Sequence, residues 1–459
     1  MSIWSQSAPA LRGHWLLGCL REIYKDPLGL YARAWREHGD YVRLRLVPGV
    51  YAHLLSHPDA AEHVLQKNAR NYRKPEVLTK PMRLLIGNGL FISEGDFWLR
   101  QRRLMQPAFH RQQLAKLAPL MVSATESFLE QRQAAGSVQP VDIVDEMTRL
   151  ALRIASITLL GSDLTAGDPS SGSCRDADAI YEAYRTSFRH VCQPMKSLKL
   201  LPGWLPTPAN RAFARARKVL DRAVLKLIEA RRQTTSPPAD LLSLLLAAQD
   251  EDTGGRMTDQ QVRDEILTLL TAGHETMVAA LSWAWYLLGQ HPRVQEDLAD
   301  EVHGQIRGTN TSLTAEDLPL SRAVFEEAMR LYPPAWGVPR QAIGPDDVGG
   351  LSIPAKGVVF LCQWITHRHP EFWPKPDEFQ PERFLPGRET KRHRFAYFPF
   401  GGGPRICIGN TFALMEGPLV LATIARRFRV ELLPGQTVVP DSGFTLRPKD
   451  GVKVLLRPR

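Results

Sequence analysis

Cys407 stands in a sequence setting that could make it a metal ligand. It lies in the glycine-rich segment Phe400–Gly409, directly before an apolar helical pattern that runs from Asn410 to about Phe428. Unpaired backbone N–H groups and the dipole at a helix N-terminus stabilise negative charge and lower a thiol pKa, so the position favours a thiolate. Glycines carry no side chain, so a flat cofactor could lie close to this backbone. An ordinary buried cysteine is the alternative.

A carboxylate and a hydroxyl stand side by side between Ala272 and Thr276, inside a long helical pattern. The Thr276 hydroxyl can bond back to the Ala272 carbonyl, and Gly273 weakens the helix further, so we expect a bulge with room for a small ligand such as O₂. Glu275 beside Thr276 forms an acid–alcohol pair that could move protons. A regular helix with a solvent-facing glutamate is the alternative, because five-residue motifs recur by chance.

Glu327 and Arg330 are three residues apart in a helical pattern, so they share one face and can form an ion pair. An isolated pair at this spacing is usually a surface feature worth roughly 0.2–0.5 kcal/mol. Arg383, in the later segment Pro381–Phe384, offers a second arginine. These three residues are therefore candidates for an ion-pair network.

Most of the chain has the apolar periodicity of helices, with short strands at its margins. Alternation over Tyr41–Leu46, a turn at Pro48-Gly49 and a second run over Val50–Leu55 predict a β-hairpin. Further strands are expected at Val358–Leu361 and Val452–Leu456. The predicted fold class is mainly α with small β-sheets. Helices are predicted over Gln101–Ala118, Val141–Leu160, Asn210–Arg232 and Ser321–Leu331.

The longest helical pattern starts at a capping box and contains the Glu275–Thr276 pair. Thr258 takes the N-cap position and Gln261 stands three residues later. Apolar residues continue to about Leu288, and some 30 residues at about 1.5 Å each give roughly 45 Å, enough to cross a large domain. Polar residues near its middle exclude a membrane span, so a central core helix is predicted.

Size and composition are those of a folded, soluble protein: 459 residues, 44% hydrophobic and 23% charged. The apolar run His14–Leu20 is far shorter than the ~20 residues that span a bilayer, and no signal-peptide pattern surrounds it. Five cysteines without paired spacing or a zinc motif favour a reducing compartment. The net charge of +10 can accompany nucleic-acid binding, but the basic residues form no recognisable nucleic-acid module. We therefore expect a cytoplasmic protein with no transmembrane anchor and no nucleic-acid partner.

The order of Phe400, Gly401, Arg405, Cys407 and Gly409 resembles the cysteine-ligand loop of the haem-thiolate monooxygenases, the cytochrome P-450 superfamily. The resemblance implies that these residues contact haem (heme, iron protoporphyrin IX). It also implies that the Cys407 thiolate binds the haem iron, as in other members of this family.

The residues from Ala272 to Thr276 resemble the oxygen-activation groove of the same family. The resemblance implies that Ala272 and Gly273 face the haem and that the catalytic pair Glu275 and Thr276 supplies protons. Met277 departs from the pattern, since many relatives have a second hydroxyl residue there. We expect Met277 to tune the properties of the pocket without abolishing the activity of the protein.

Three cationic residues are implied to bind the haem propionates. Trp98 and Arg102 match the family's Trp-x-x-x-Arg helix, whose members contact a propionate. Arg340 stands where relatives hold another basic partner, and Arg405 is the third. Carboxylates that are partly buried need such cationic or hydrogen-bonding partners.

Glu327, Arg330 and Arg383 match a further family pattern, a Glu-x-x-Arg pair bonded to an arginine of a later loop. The resemblance implies that these residues hold the cysteine-side core together and are structural rather than catalytic. We expect their loss to abolish haem incorporation more than turnover.

Four segments that the family uses to contact substrates are mainly apolar here, which implies a small hydrophobic substrate. The residues of the motifs are most similar to those of family branches that include fatty-acid and terpene hydroxylases. For each single residue, packing in the core is the alternative. The candidate pocket residues are Leu84, Leu85, Thr268, Ala272, Ala335, Trp336, Val338 and Phe444.

The resemblance covers nearly the whole chain, so it implies a single haem domain over residues 1–459, of the soluble bacterial type and with no fused reductase domain. The implied reaction is monooxygenation: one oxygen atom of O₂ enters a hydrophobic substrate by C–H hydroxylation or epoxidation. Two alternatives stay open. A haem-thiolate isomerase or peroxygenase would need no external electrons, and a non-catalytic haem-binding protein would need no proton relay.

Electrons from NAD(P)H are then expected to arrive through separate proteins, an acidic ferredoxin or flavodoxin with its reductase, on a monomer. A positive face near the cysteine loop would steer such a partner toward the haem. Solvated charges without a partner are the alternative. The resemblance places two basic clusters there: Arg100, Arg102 and Arg103, and Lys391, Arg392 and Arg394.

Overall fold

A computed structural model describes residues 9–134, 139–163, 173–196, 204–238, 240–250, 252–305, 314–388 and 391–459. The chain is mainly α with small sheets, as predicted. Within these ranges the α-helices are α1 (Leu20–Lys25), α2 (Pro27–His38), α3 (Pro58–Glu62), α4 (Glu76–Ile86), α5 (Gly95–Met105), α6 (Arg111–Ala115), α7 (Ala118–Ala134), α8 (Ile143–Leu160), α9 (Ser173–Lys196), α10 (Pro208–Gln233), α11 (Leu241–Ala247), α12 (Asp259–Gln290), α13 (Pro292–Gln305), α14 (Pro319–Leu331), α15 (Gln363–Thr366) and α16 (Asn410–Arg427).

The strands form one larger sheet and three small ones. The larger sheet has six strands in the order β1-β2-β3-β9-β6-β4, and β10-β13-β5, β11-β12 and β7-β8 form the others. The strands are β1 (Ala10–Leu11), β2 (Tyr41–Val47), β3 (Val50–Leu55), β4 (Tyr72–Arg73), β5 (Val141–Asp142), β6 (Val338–Ala342), β7 (Asp346–Val348), β8 (Leu351–Ile353), β9 (Val358–Leu361), β10 (Phe428–Leu432), β11 (Pro440–Ser442), β12 (Leu446–Pro448) and β13 (Lys453–Pro458).

The predicted hairpin is confirmed, because β2 and β3 pair antiparallel from Tyr41 opposite Leu55 to Val47 opposite Val50. The predicted strand Val358–Leu361 is β9, and it joins β3 in parallel. The predicted strand Val452–Leu456 corresponds to β13, which begins one residue later, at Lys453, and pairs with β10 and β5. These sheets lie beside the helical body that contains the motifs.

One predicted helix is wrong as a continuous element. The pattern from Gln101 to Ala118 is split, because α5 ends at Met105 and a 3₁₀ turn over Gln106–Phe109 precedes α6. Pro107 explains the break: proline has no N–H to donate, and its ring clashes with the preceding turn of a helix. A smaller difference is at Val141–Asp142, which form β5, with the Asp142 carboxylate capping α8 at the Val144 N–H.

Helix α12 is the central helix, as predicted. Its N-terminus has the expected capping box: Gln261 N–H donates to the Thr258 hydroxyl at 3.2 Å, and Thr258 N–H donates to Gln261 Oε1 at 2.9 Å. It contacts α8, α10, α14 and α16. Trp283 on α12 stacks on Tyr332 at 3.8 Å and donates to the Leu446 carbonyl, which ties the helix to β12. Among the described helices, none combines the length and apolarity needed to cross a membrane.

Candidate functional site

The Cys407 loop is held in one conformation by its backbone. Gly401 and Gly403 have φ of +71° and +64°, values that residues with a Cβ rarely adopt. A Cβ on Gly403 would also overlap the backbone of Leu65. Cys407 N–H donates to the Phe400 carbonyl at 2.9 Å. The thiol is therefore fixed three residues before α16 begins at Asn410.

Cys407 differs from the other cysteines whose surroundings the structure describes. Its side chain is exposed, whereas Cys19, Cys192 and Cys362 are buried. Protein nevertheless surrounds the thiol, and burial raises its pKa, while the Gly409 N–H and the charge of Arg102 act in the lowering direction. The Gly409 N–H therefore lowers the pKa of the thiol, as predicted for a position near a helix N-terminus, but burial has the larger effect. A thiol that is both enclosed and accessible lies on the wall of an internal cavity.

Basic side chains gather near this thiol, and one of them was missed by the sequence analysis. Arg405 forms an ion pair with Glu94 and donates to the Ser93 carbonyl at 3.1 Å. Burial and the charge of Arg405 lower the pKa of Arg340 to about 10 and the pKa of Lys74 to about 7. Neither Lys74 nor Arg340 has an ion-pair partner in the described part of the chain. Such uncompensated cations fit the two carboxylates of a haem.

Trp98 and Arg102 support this cluster and the cysteine loop. The Arg405 guanidinium lies over the Trp98 ring, 4.2 Å from its centroid. Arg102 donates from Nη1 to the Ile406 carbonyl at 2.7 Å, one residue before Cys407. In this structure Arg102 thus fixes the loop backbone, and Trp98 positions Arg405.

The second candidate surface is formed by the middle of α12. Ala272, Gly273 and Thr276 are only partly buried, although most of this helix is fully buried. The Thr276 hydroxyl donates to the Ala272 carbonyl at 2.6 Å, so the predicted back-bond is confirmed. A Cβ built on Gly273 meets no atom within 4 Å, which leaves open space beside the helix at this point.

Glu275 faces a different set of partners from Thr276. Its buried carboxylate forms an ion pair with Arg447 and lies 3.4 Å from His274 Nδ1 and 3.5 Å from the Tyr184 hydroxyl. Burial raises the pKa of Glu275, but Arg447 and His274 more than offset this effect and keep it below its usual value. No hydrogen bond between Glu275 and Thr276 is present among the described residues. No local sequence pattern predicts the partners Arg447 and Tyr184, which lie on β12 and α9.

The predicted ion-pair network is present on the cysteine side. Glu327 and Arg330 are fully buried and form two hydrogen bonds, both of 2.7 Å. Arg383 Nε lies 3.5 Å from the same carboxylate, and Gln380 N–H donates to it at 2.9 Å. Arg330 also donates to the carbonyls of three later loop residues, His367, Pro376 and Glu378.

The candidate pocket residues divide into two groups. Ala335 and Val338 are partly buried, and Phe444 contacts Phe91 and Phe188 at ring distances of 5.9 and 5.3 Å. Each of these residues, like Ala272, keeps part of its surface exposed. Phe91 and Phe188 were missed because isolated aromatic residues carry no sequence signal.

For the other candidates, the structure shows core packing or surface position. Leu85 and Thr268 are buried, and the Thr268 hydroxyl bonds to the Asp264 carbonyl of its own helix. The Trp336 ring packs on Tyr31 and Phe360 and donates to the Gly443 carbonyl at 3.1 Å. Leu84 is 46% exposed.

Some members of the two predicted basic clusters have partners within the protein. Arg103 pairs with Asp250 at 2.7 Å, and Arg100 lies 4.0 Å from the same carboxylate. Arg392 is partly buried, with its guanidinium 3.8 Å from the centroid of Trp373. Lys391 and Arg394 remain exposed. Arg100, Arg103 and Arg392 therefore have local partners, and the positive face that would steer an acidic protein stays a prediction.

The residues present fit a haem bound through a thiolate. An enclosed but accessible thiol stands on one wall and cations without carboxylate partners stand at the edge. Open space lies beside Gly273, and a Cβ on Gly401 likewise meets no atom within 4 Å. A flat, dianionic group with one open metal coordination position matches all of these features.

Comparisons with known proteins agree with this chemistry. The chain is 36% identical over 439 residues to cyclooctatin synthase of Streptomyces melanosporofaciens, covering 95% of this chain and 91% of that protein. It is 36% identical over 432 residues to cyclooctat-9-en-7-ol 5-monooxygenase of the same organism, covering 92% and 89%. With the pentalenene oxygenase of Streptomyces avermitilis it shares 34% identity over 410 residues, covering 88% and 87%.

Solved structures are similar over almost the full length. The haem domain of cytochrome P-450DA matches with a TM-score of 0.87 at 26% identity, covering 99% of this chain and 98% of that one. Retinoic acid-bound cyanobacterial CYP120A1 matches with a TM-score of 0.83 at 28% identity, covering 99% of both chains. The family model described as cytochrome P-450 matches residues 9–456. The chain therefore belongs to the cytochrome P-450 family, and it is a haem-dependent monooxygenase.

Proposed function

We propose that this monooxygenase oxidises a terpenoid that binds between α12 and an aromatic cluster formed by Phe91, Phe188 and Phe444. The observation that carries the proposal is this cluster, in which Phe444 contacts both other rings. Phe91 is 44% exposed, so part of its surface is free for an apolar ligand. The relatives named for cyclooctat-9-en-7-ol and pentalenene support the same chemical class.

When bound, the haem supplies the activation of O₂ and the insertion of one oxygen atom into the substrate. Cys407 would hold the iron through its thiolate. Lys74, Arg340 and Arg405 would bind the propionates, and Trp98 and Arg102 would keep Arg405 and the cysteine loop in place. The whole span from 9 to 456 matches a single family model, which supports the reading of one haem domain.

The proton supply is assigned to Thr276 and Glu275. Thr276 lines the cavity, where its hydroxyl can hold a water or donate a hydrogen bond. Glu275 lies one residue earlier with its carboxylate toward Arg447 and Tyr184. For Glu275 to pass a proton to the cavity, its side chain must exchange the Arg447 contact for a contact on the Thr276 side.

Electrons from NAD(P)H are assigned to separate proteins, an acidic ferredoxin or flavodoxin and its reductase, acting on a cytoplasmic monomer. The exposed cations Lys391 and Arg394 precede the cysteine loop in sequence and support an acidic partner. Because most other members of the predicted clusters are held by internal contacts, we expect the attraction to depend on few charges.

A substrate screen tests the proposal. Purified haem protein is titrated with cyclic terpenes, terpene alcohols and fatty acids, and ligands that change the haem spin state are then incubated with NADPH and a surrogate redox pair. We expect terpenoids to give the spin shift and oxygenated product. Spin shift and turnover with fatty acids alone would contradict the substrate class, and product formed only with peroxide would favour the peroxygenase alternative.

A pair of variants connects the screen to the aromatic cluster. Phe444→Leu should weaken terpenoid binding by about tenfold, because an aromatic pair and part of the apolar surface are lost. Phe372→Leu is the matched control, since Phe372 contacts His57 and His369 on the sheet side of the molecule. Equal affinities of the two variants would contradict the proposed position of the substrate.

A further inference from the structure

A loop near the N-terminus presents three consecutive apolar side chains to the outside. His14 and Gly18 close the loop with two backbone hydrogen bonds, of 2.9 and 2.8 Å. At its tip, Trp15, Leu16 and Leu17 are 75%, 48% and 40% exposed. Folding leaves these side chains without the burial that such residues normally gain.

Several backbone groups of this tip are hydrogen-bonded within the loop. The N–H groups of Leu16 and Leu17 donate to His14 Nδ1 at 3.3 and 3.2 Å, and the Leu17 carbonyl accepts from Leu20 N–H at 3.0 Å. Arg45 donates to the His14 carbonyl at 2.8 Å and fixes the loop on β2. A backbone that already has its partners can enter an apolar environment at low cost.

The turn between β2 and β3 extends the apolar surface. Cys19 N–H donates to the Arg45 carbonyl at 2.7 Å, and Gly18 packs against the backbone of Arg45 and Leu46. The loop therefore lies beside the turn, where Val50 and Tyr51 are 49% and 36% exposed. The apolar corner, as we call this surface, consists of Trp15, Leu16, Leu17, Val50 and Tyr51.

Positive charge borders the apolar corner. Arg12, Arg21 and Lys25 are exposed, and none of them forms an ion pair with a carboxylate in the described part of the chain. The Arg43 guanidinium lies over the Tyr51 ring, 4.8 Å from its centroid. An apolar tip that contains tryptophan and has a cationic border is complementary to the interface of an anionic bilayer, where indole rings and basic side chains are both favoured.

We propose that the apolar corner docks this protein on the surface of an anionic lipid bilayer. Trp15 and Leu17 enter the interface, and Arg12, Arg21 and Lys25 lie over the lipid headgroups. A tip of three residues can enter only the outer part of a leaflet, so the attachment is peripheral and reversible. The charged border favours lipid over a second copy of this chain, whose corner would carry the same positive charge.

Vesicle flotation of the full-length holoprotein tests the proposal. Vesicles of equal parts phosphatidylglycerol and phosphatidylcholine should carry the protein upward, whereas vesicles of phosphatidylcholine alone or high salt should reduce the bound fraction. The double variant Trp15→Ser/Leu17→Ser should bind the anionic vesicles at least about tenfold more weakly, because two apolar side chains leave the interface.

Ile343→Ser is the matched control. Ile343 is 57% exposed and bonds to the Asn71 carbonyl beside β4, at the opposite edge of the six-stranded sheet. It should bind vesicles like the unaltered protein, and the reduced CO-bound spectrum should be the same in all three proteins, which excludes misfolding. The spectrum depends on Cys407 and not on the substrate, so failure of the docking proposal leaves the proposed function untouched.

Two results would overturn the proposal. One is that the unaltered protein does not float with anionic vesicles, or that the double variant floats equally well. The other is that light scattering shows a dimer that only the double variant loses, without vesicle binding, which would make the apolar corner a self-association surface.

Discussion

The two walls of the haem cavity are built in different ways. On the cysteine side, Glu327 and Arg330 are fully buried, and backbone groups of later loops complete their hydrogen bonds. On the side of α12, Glu275 is held by Arg447, whose side chain is 25% exposed. The first arrangement is closed on all sides, and the second depends on a side chain near the surface.

The difference indicates what each wall contributes. A buried ion pair that loses one partner leaves an uncompensated charge in the interior, which costs far more than the pair gains. We therefore expect that the protein folds and holds haem only when the cysteine side is intact. The α12 side can exchange partners at smaller cost, as a group that moves protons must do. Changes on the first wall should affect the holoprotein itself, and changes on the second should affect turnover.

The largest effect is expected for Cys407→Ala, which removes the thiol from the cavity wall. The reduced, CO-bound protein should lose the red-shifted band of a thiolate-bound haem, and turnover should be abolished. Cys19→Ala is the control, because Cys19 is buried in the cluster beneath the N-terminal strands. A variant at Cys407 that kept the band would contradict the assignment of the ligand.

Arg330→Met should have the next largest effect, because it leaves the buried Glu327 carboxylate with Arg383 as its only cationic partner among the described residues. We expect a loss of about 3–5 kcal/mol in the free energy of unfolding and little bound haem. Urea unfolding and the haem content per chain measure both effects.

Arg322→Ala, on the same helix, tests whether the effect comes from burial. Arg322 forms an i,i+4 pair with Glu326 and is 49% exposed, so its removal should cost no more than about 1 kcal/mol. Full haem content in Arg330→Met would contradict the structural role of this network.

Thr276→Val should affect turnover but not the holoprotein. The CO-bound spectrum should be retained, while product formed per NADPH falls by about 10²-fold or more, since the cavity loses the hydroxyl of the proton supply. Thr158→Val is matched to it: Thr158 also bonds back to a carbonyl four residues earlier, Ile154, but on α8. Equal losses in both variants would indicate a general effect of helix distortion.

Arg447→Met should give the smallest effect and the most specific one. Without Arg447, burial is opposed only by His274, so the pKa of Glu275 rises. The limb of the pH–rate profile that depends on Glu275 should move to higher pH.

The same lowered pKa stabilises the folded protein above the pKa of Glu275 in the unfolded chain, and this stabilisation is lost as the pH falls through the folded value. Arg447→Met should remove it, which urea unfolding at neutral and acidic pH can measure. An unchanged pH–rate profile would show that Glu275 does not control turnover.

Local signals in the sequence predicted much of the fold. The capping box at Thr258 and the apolar pattern that follows it predicted the start of α12 and placed its C-terminal end within two residues of the observed end, Gln290. The hairpin was predicted because alternation and a Pro-Gly turn are properties of adjacent residues. The break at Gln106 was not predicted, because the residues on both sides of Pro107 have helical periodicity. The missing N–H of Pro107 is the local signal that indicates this break.

Motif spacing was likewise enough to identify Cys407, the Glu275–Thr276 pair and the Glu327–Arg330 pair as candidate site residues. Each of these motifs is contained within one loop or one helix. Tertiary structure alone decided their partners. Arg447 is 172 residues from Glu275, and Lys74 approaches Arg340 and Arg405 only when the sheet and the cysteine loop pack together. No periodicity relates such distant residues, and their charges become a site only where burial removes water from around them.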